Sequence, residues 1–397
     1  MSEQKDPIVI VGAARTPMGG FLGDLKDAKA PQLGAVAIKS ALQRAGLKPE
    51  DADEVIMGVV LPAGQGQAPA RQASRGAGIP DDVGCTTVNK MCGSGMKAAM
   101  LAHDGIIAGS ASIAIAGGME SMSNAPYLLT KARQGYRMGH GEVFDHMFLD
   151  GLEDAYDKGK LMGCYAEDTA TAYQFTRDAQ DDFAIESLNR ARKAIEDGTF
   201  DAEVATVTVK TRKGEVTVDK DEQPLKADME KIRKLKPAFA ADGTVTAANS
   251  SSISDGGAAL VLMRWSEAEK RALTPLAAIR GHATHAQEPA WFTTAPIGAV
   301  EKLLEKTGWS KDEVDLFEIN EAFAVVTMAA MRDLEIPHDK VNVHGGACAL
   351  GHPVGASGAR IIVTLLAALQ KYGHTKGVAA LCIGGGEATA MAIERLR

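Results

Sequence analysis

ALQRAGLKPEDADEVIMG (residues 41–58) and KLLEKTGWSKDEVDLFEIN (residues 302–320) carry one plan twice. Each begins with apolar residues at helical spacing, breaks at a glycine (Gly46, Gly308), crosses a charged turn and ends in an apolar run of strand length. Glycine just past the last periodic residue is the usual helix stop, since it reaches the left-handed conformation without a Cβ clash. Helix, stop, turn and strand repeated at two distant places read as an internal duplication.

Outward from each copy the alternation continues. Around the first, strands are expected at 8–11, 54–60 and 111–116, and a helix at 32–45. A Gly-rich turn at 92–95 opens an Ala/Met-rich helix to about residue 108. Around the second, strands are expected at 276–281, 314–319 and 378–382, with helices at 298–307 and 358–371, before a last segment at 387–394. This alternation predicts α/β layers with a mainly parallel sheet. Between the halves, residues 122–250 are richer in Asp, Lys, Arg and Gly. They contain an amphipathic helix at 177–197, and AEVATVTVK and GEVTVDK look like an antiparallel pair. The segment reads as an insertion carried by the first half.

With 397 residues, two or three domains are expected, long enough to bury cores without disulfides or metals. Hydrophobic residues make up 45% and charged residues 24%, as in ordinary globular proteins. The net charge of −8 argues against bulk binding of nucleic acid or anionic membrane, so an anionic small substrate needs a local basic patch. The opening MSEQKDP shows no targeting leader, and no stretch approaches the roughly 20 apolar residues of a membrane span. Five cysteines (Cys85, Cys92, Cys164, Cys348, Cys382) form no CxxC pair, which reads as reduced cytosolic thiols.

Four residues and one stretch could carry chemistry. Cys92, in VNKMCGSGMKAAM, lies at a Gly-rich helix start, where free N–H groups and the dipole lower a thiol pKa; the alternative is a small buried cysteine. Cys382 ends an apolar strand before IGGGE, whose glycines expose backbone N–H groups but lack the G-x-G-x-x-G spacing of a dinucleotide loop. His352 sits among the glycines of GGACALGHPVGASGAR, on a close-packed loop before a helix, and with Cys348 alone makes a poor metal site. Asn320 begins NEAFA, where its amide caps the following helix, or holds a water or serves an oxyanion. LKADMEKIRKLKP (residues 225–237) is either a solvated charged face or the patch for a nucleotide-like anion.

Taken together, IVIVGAARTPMGGFLG, GGMESMSNAPY, VTAANSSSISDGGAAL, EINEAFA, NVHGGACALGHPVGASGAR and CIGGGEATA resemble the thiolase family, within it the short-chain acetyl-CoA acetyltransferases, over essentially the whole chain. The resemblance implies two duplicated βαβαβαββ halves in five α-β-α-β-α layers: residues 1–121 with 251–273, residues 274–397, and a CoA-covering insertion at 122–250. It implies Cys92 as the acyl-accepting nucleophile, His352 as its activator, and Cys382 as the acid/base at the carbon that forms or loses the bond. Asn320, through a water, and His352 would make one oxyanion hole, and the N–H groups of Cys92 and Gly384 a second. Ser251, Phe239, Met162, Phe323 and Phe292 would line the pantetheine and acyl channel, with Lys226 and Arg233 near the CoA nucleotide. No metal and no tightly held cofactor are implied; acetyl-CoA and CoA are substrates. A cytoplasmic homotetramer is expected, with no nucleic-acid or membrane partner.

The sequence departs from the family at Leu161, where a His is frequent, and at Leu225, where an Arg commonly meets the nucleotide. It departs also at His344, Glu387 and Phe292. The nearest alternative is a degradative 3-ketoacyl-CoA thiolase for longer chains. A ketosynthase would lack Cys382, and a dinucleotide-dependent dehydrogenase would need a strand-GxGxxG-helix that is not visible.

Overall fold

The structure, a computed structural model, describes residues 6–212 and 214–396. The opening MSEQK, on which the reading of a missing leader rests, lies outside the described residues. The first half runs β1 (Ile8–Arg15), α1 (Ala30–Ala45), β2 (Glu54–Gly58), α2 (Pro69–Gly76), β3 (Gly84–Val88), α3 (Ser94–Ala108) and β4 (Ile113–Ser121). An inserted segment follows, with α4 (Met162–Tyr173), α5 (Arg177–Glu196) and the hairpin of β5 (Val207–Thr211) and β6 (Gly214–Val218). The chain returns through β7 (Ser254–Arg264). The second half is β8 (Ala277–Ala286), α6 (Ala295–Thr307), β9 (Leu316–Ile319), α7 (Ala324–Asp333), α8 (Val354–Tyr372), β10 (Lys376–Ile383) and β11 (Glu387–Arg395).

The duplication is visible in the sheet order. The first half pairs as β3-β2-β4-β7-β1 and the second as β9-β10-β11-β8. The counterpart of β3 in the second half is reduced to one parallel bridge, Phe317 to Val341. Gly46 and Gly308 both close their helices in the left-handed conformation, as the repeated pattern requires. The expected mainly parallel sheet is a mixed one. Among the described strands only β2 with β3, β2 with β4, and β9 with β10 run parallel, because β7 returns antiparallel to β4 after the insertion and β11 reverses directly on β10 through a tight turn. The halves join edge to edge where β1 meets β8, through Val9–Ala278 and Ile10–Ala277.

The layers follow from where the apolar faces go. Helices α1 and α2 cover the outer face of the first sheet, and α6 and α7 that of the second. Helices α3 and α8 are sandwiched between both sheets, and their side chains form the largest core with residues of each. Helix α8 is apolar on nearly all sides, with a mean hydropathy of 1.2. It thus comes closer to the length and composition of a membrane span than the sequence reading allowed, but here it is an interior helix whose apolar surface is buried in protein.

Two contacts, one fully buried and one with an exposed carboxylate, dock the other parts. Arg15 at the end of β1 donates to Glu203 Oε1 (2.7 Å) and in a two-pronged fashion to Asp221 Oδ1 and Oδ2 (2.7 and 2.9 Å), tying the insertion to the first half. Asp104 on α3 accepts from His103 (3.0 Å) and His282 of β8 (2.9 Å) on one carboxylate oxygen, clasping the two halves. Between α8 and the first half, contact is backbone to backbone. A Cβ on Gly118 would stand 1.9 Å from the Gly355 carbonyl oxygen, so even alanine forces the layers apart. We expect Gly118→Ala to cost about 1–3 kcal/mol or more by overpacking, read as a lowered denaturant midpoint; an unchanged midpoint would show that the layers can separate freely.

Candidate active site

Cys92 stands two residues before α3, in a turn with Met91 in the left-handed region (φ 46°). Ser94 Oγ closes that turn, donating to Met91 O at 2.6 Å and accepting from Lys90 N at 2.9 Å. Gly93 lets the turn lie on β10, since a Cβ there would meet Ile383 Cδ1 at 2.4 Å. Lys90 also reaches Glu387 of β11 in an ion pair across the halves, which is the structural role of that unusual glutamate.

The helix start does not make Cys92 acidic. Burial pushes the thiol up to about 11, although N–H groups of Gly384 and of Cys92 itself pull it back, and Glu120 adds a further upward push. The sequence expectation of a lowered pKa is therefore corrected. Desolvation of a thiolate outweighs one helix terminus. At rest Cys92 is therefore a thiol.

His352 lines the same cavity as Cys92. It precedes α8 in the loop equivalent to the Cys92 turn, and Gly351 before it adopts φ 101° against Ser254. Its Nδ1 lies 2.5 Å from Ser357 Oγ, whose single proton is given to Pro353 O at 3.0 Å. Ser357 must therefore accept, which puts the imidazole proton on Nδ1 and leaves the Nε2 lone pair free. Nε2 is buried without a hydrogen-bond partner among the described residues. Burial, with a smaller contribution from Arg360, pushes His352 down to about 3, so it is neutral and able to accept a proton at physiological pH.

Cys382 closes β10, fully buried, and burial with neighbouring Cys92 holds its thiol well above the ordinary range. Beyond it Gly385 and Gly386 take φ 94° and 89°, so the glycine run is the tight turn between β10 and β11 and not a phosphate loop. Cys92, His352, Cys382 and Gly384 share one cavity of about 370 Å³. Ser251, Phe239, Met162, Phe323 and Phe292 line it too, as expected, and the departing Leu161 joins them. Phe239 meets Phe323 edge-on at 6.0 Å, and Phe292 meets Tyr165 likewise at 6.3 Å, giving a stiff apolar wall.

Three expected residues stand elsewhere. Asn320 is buried behind the cavity wall and does not cap α7, whose N-cap is Phe323; its Oδ1 accepts from Arg360 and its Nδ2 has no partner among the described residues. Lys226 pairs with Glu222 (2.5 Å) and Asp24 (3.0 Å), and Arg233 pairs with Asp182, so neither lines the cavity. From the same basic stretch Lys231 lines an adjoining cavity of about 260 Å³, which shares Ala247 and Ser252 with the first. Of the other departures, Leu225 is exposed, and His344 is buried with burial pushing it down to about 4, against Phe200 and Tyr372.

Sequence reasoning also missed Glu120, within GGMES. Its buried carboxyl accepts from Val60 N (2.9 Å), Leu61 N (3.2 Å) and Gly355 N (2.9 Å), and burial pushes it up to about 7. Only the fold brings those three amides together, so no local pattern could flag it.

A neutral cysteine and a neutral histidine at the starts of two central helices share one cavity with a second cysteine and Gly384, an arrangement suited to acyl transfer. Residues 8–266 match the thiolase N-terminal domain and residues 273–395 the thiolase C-terminal domain. The chain is 51% identical to acetyl-CoA acetyltransferase 2 of Arabidopsis thaliana, covering 100% of this chain and 99% of that one. It is 49% identical to the cytosolic acetyl-CoA acetyltransferase of Mus musculus, with 100% of both covered. It superposes on the crystal structure of the Bacillus anthracis acetyl-CoA acetyltransferase with a TM-score of 0.96 at 42% identity, over 98% of this chain and 99% of that one. The chain belongs to the thiolase family, and it is an acyltransferase.

A thiol held near 11 predicts its own titration. Alkylation of Cys92 by iodoacetamide should rise about tenfold per pH unit from pH 7 to pH 9, following the thiolate fraction. A plateau below pH 8 would mean that a thiolate exists at rest.

Proposed function

We propose that the chain catalyses the reversible condensation of two acetyl-CoA molecules to acetoacetyl-CoA and CoA through an acetyl-Cys92 intermediate. The observation that carries this reading is the convergence of Cys92, His352, Cys382 and Gly384 on one cavity with apolar walls. The relatives named acetyl-CoA acetyltransferase support it over the full chain.

The steps follow from the groups. Cys92 Sγ attacks the acetyl thioester while His352 Nε2 takes its proton. The departing CoA sulfur takes the proton of Cys382, leaving a thiolate beside the imidazolium. That thiolate removes a methyl proton from the second acetyl-CoA, and the enolate oxygen is held by His352 Nε2–H and, through a water, by Asn320. The enolate carbon attacks the acetyl-Cys92 carbonyl, whose oxygen faces the N–H groups of Cys92 and Gly384. That attack forms the new carbon–carbon bond; collapse of the tetrahedral adduct then breaks the carbon–sulfur bond to Cys92, whose sulfur recovers its proton from His352. One such donor contributes about 2.7–4 kcal/mol to the transition state.

CoA itself is the only carrier this scheme needs, with no metal or resident cofactor. Its pantetheine arm fits the passage past Ser251 and Phe239, and the adjoining cavity beside Lys231 suits the nucleotide end. Lys226 and Arg233 join this role only by leaving their carboxylate partners. An assembly of four copies is part of the reading. It is supported by the exposed outer edge of β3 and by exposed Tyr127, Leu129, Met138 and Val143 around the short ladder of Tyr127–Leu128 with Phe144–Asp145. A cytoplasmic setting is supported by the "cytosolic" names of the mouse and rat relatives.

The two cysteines separate kinetically. Cys382→Ala should still take up acetyl from acetyl-CoA on Cys92, with the departing CoA taking its proton from His352 instead, while condensation falls by at least about 10²-fold for want of a positioned base; peptide mass mapping and acetoacetyl-CoA formation read the two steps. Acetyl found on Cys382 or Cys348 with Cys92 unmodified would overturn the assignment.

Chain length tests the substrate class. Met162, Phe292 and Phe323 already fill the acyl end, so an added methylene displaces packed atoms instead of gaining the ~0.8 kcal/mol of its burial. Thiolysis kcat/KM should fall from acetoacetyl-CoA to 3-ketohexanoyl-CoA and again to 3-ketodecanoyl-CoA. A rise along that series would favour the long-chain alternative.

A further inference from the structure

A buried ion pair stands behind Asn320. Arg360, on the second turn of α8, is 1% exposed, and its Nη1 lies 3.6 Å from Oε2 of Glu318, two residues before Asn320 at the end of β9. Its Nη2 donates to Asn320 Oδ1 at 3.4 Å. The packing of a helix between two sheets does not call for a guanidinium there. An apolar side chain of similar volume would serve it as well, since burying a charge is costly even when paired.

The chemistry of the guanidinium is what distinguishes it. Arginine carries only donors, whereas the asparagine amide presents an acceptor on one side and a donor on the other. Facing Arg360, the amide can turn only its Oδ1 inward, because the reverse orientation sets donor against donor. The torsion that would interchange them is otherwise soft. Once Oδ1 is fixed, Nδ2 is directed away from the ion pair. It is the one donor of that side chain, and it is buried with no partner among the described residues.

We infer that Arg360, held by Glu318, is a positioning residue that locks the Asn320 amide in the orientation that offers Nδ2 to the water holding the enolate oxygen in the condensation step. The inference rests on the role proposed above for Asn320 and goes beyond it. Arg360 touches no substrate and acts through Asn320. Lysine is a poor replacement, as a point charge cannot reach Glu318 and Asn320 with two separate prongs. The acylation half-reaction uses the other oxyanion hole, so the lock should matter to one half of the cycle only.

The experiment compares Arg360→Met, Arg360→Lys, Asn320→Ala and Arg360→Met with Asn320→Ala, at pH 8, where His352 is neutral with or without Arg360. Arg360→Met should lower condensation kcat at least about tenfold with KM within about twofold, while Cys92 acetylation by acetyl-CoA stays near the wild-type rate. Arg360→Lys should fall between. The double variant should be no slower than Asn320→Ala alone, since residues acting through one another are not additive. Removing Arg360 does not strand a bare carboxylate, because burial already pushes Glu318 up to about 8 and it can hold a proton. If Arg360→Met is nevertheless insoluble, Arg360→Met with Glu318→Gln carries the same comparison, and Arg360→Lys, which keeps the charge, must still be non-additive with Asn320→Ala. Wild-type condensation in Arg360→Met, additive losses, or acetylation falling in step with condensation would each overturn the inference. Asn320→Ala at full rate would remove the role of Asn320 itself. A slow Asn320→Ala with a fast Arg360→Met would remove only the lock.

Discussion

Everything at the reactive centre depends on two central helices meeting at their N-terminal ends without side chains between them. Ideal Cβ atoms on Gly95 and Gly358 would stand 2.8 Å from Ala359 N and 2.4 Å from Met96 N, and one on Gly118 would strike Gly355 O. Because the halves are copies, each feeds its central helix from an equivalent loop after its third strand position. Bringing the helix starts together therefore brings Cys92 and His352 together. Glu120 secures the junction, since one carboxyl from β4 receives amides of its own half and of α8. The centre belongs to neither half, and anything that separates the helices separates Cys92 from His352.

That close packing also sets the electrostatics. A dry interior disfavours both the thiolate of Cys92 and the imidazolium of His352, the first held near 11 and the second near 3. Proton transfer from one to the other is thus strongly uphill. In the proposed reaction it would become accessible as carbon–sulfur bond formation consumes the charge on sulfur and as N–H groups of Cys92 and Gly384 receive the charge arriving on the acyl oxygen. A neutral resting pair, in place of a standing thiolate, spares Cys92 from adventitious alkylation and, in the proposed reaction, would tie its activation to a correctly placed thioester.

The sequence was most legible where local rules suffice. The repeated helix–glycine–strand pattern, the Gly-rich start of α3 and the hairpin of β5 and β6 all follow from periodicity and turn chemistry. It was misread where distant segments decide the outcome. The β7 strand pairs with β1 and β4 across the insertion, which turns a sheet expected to be parallel into a mixed one. Cys92 was expected to be acidic because a helix start is visible in sequence and desolvation is not. Asn320 suggested a cap, yet Arg360, forty positions on, claims its oxygen. For Lys226 and Arg233, a run of cations was legible but the carboxylates that pair with them were not.

The chemistry and the shape of the pocket come from different parts of the chain. Cys92, His352, Cys382 and Gly384 lie at strand ends and helix starts of the two duplicated halves, where backbone contacts leave little room for change. The walls are built otherwise. Met162 opens α4 and Phe239 follows the basic stretch, both within the insertion, while Phe292 and Phe323 project from short segments beside α6 and α7. Side chains on such segments can be exchanged without moving a helix start, so selectivity for the acyl group is free to drift while the reactive geometry stays fixed. The departures at Leu161 and Phe292 fall on these walls. The departure at Glu387 falls outside the lining, at the start of β11, where its ion pair with Lys90 ties the Cys92 turn to the strand after the glycine turn. A pocket of this construction changes its substrate by repacking one wall and leaves the proton path between the two helix starts intact.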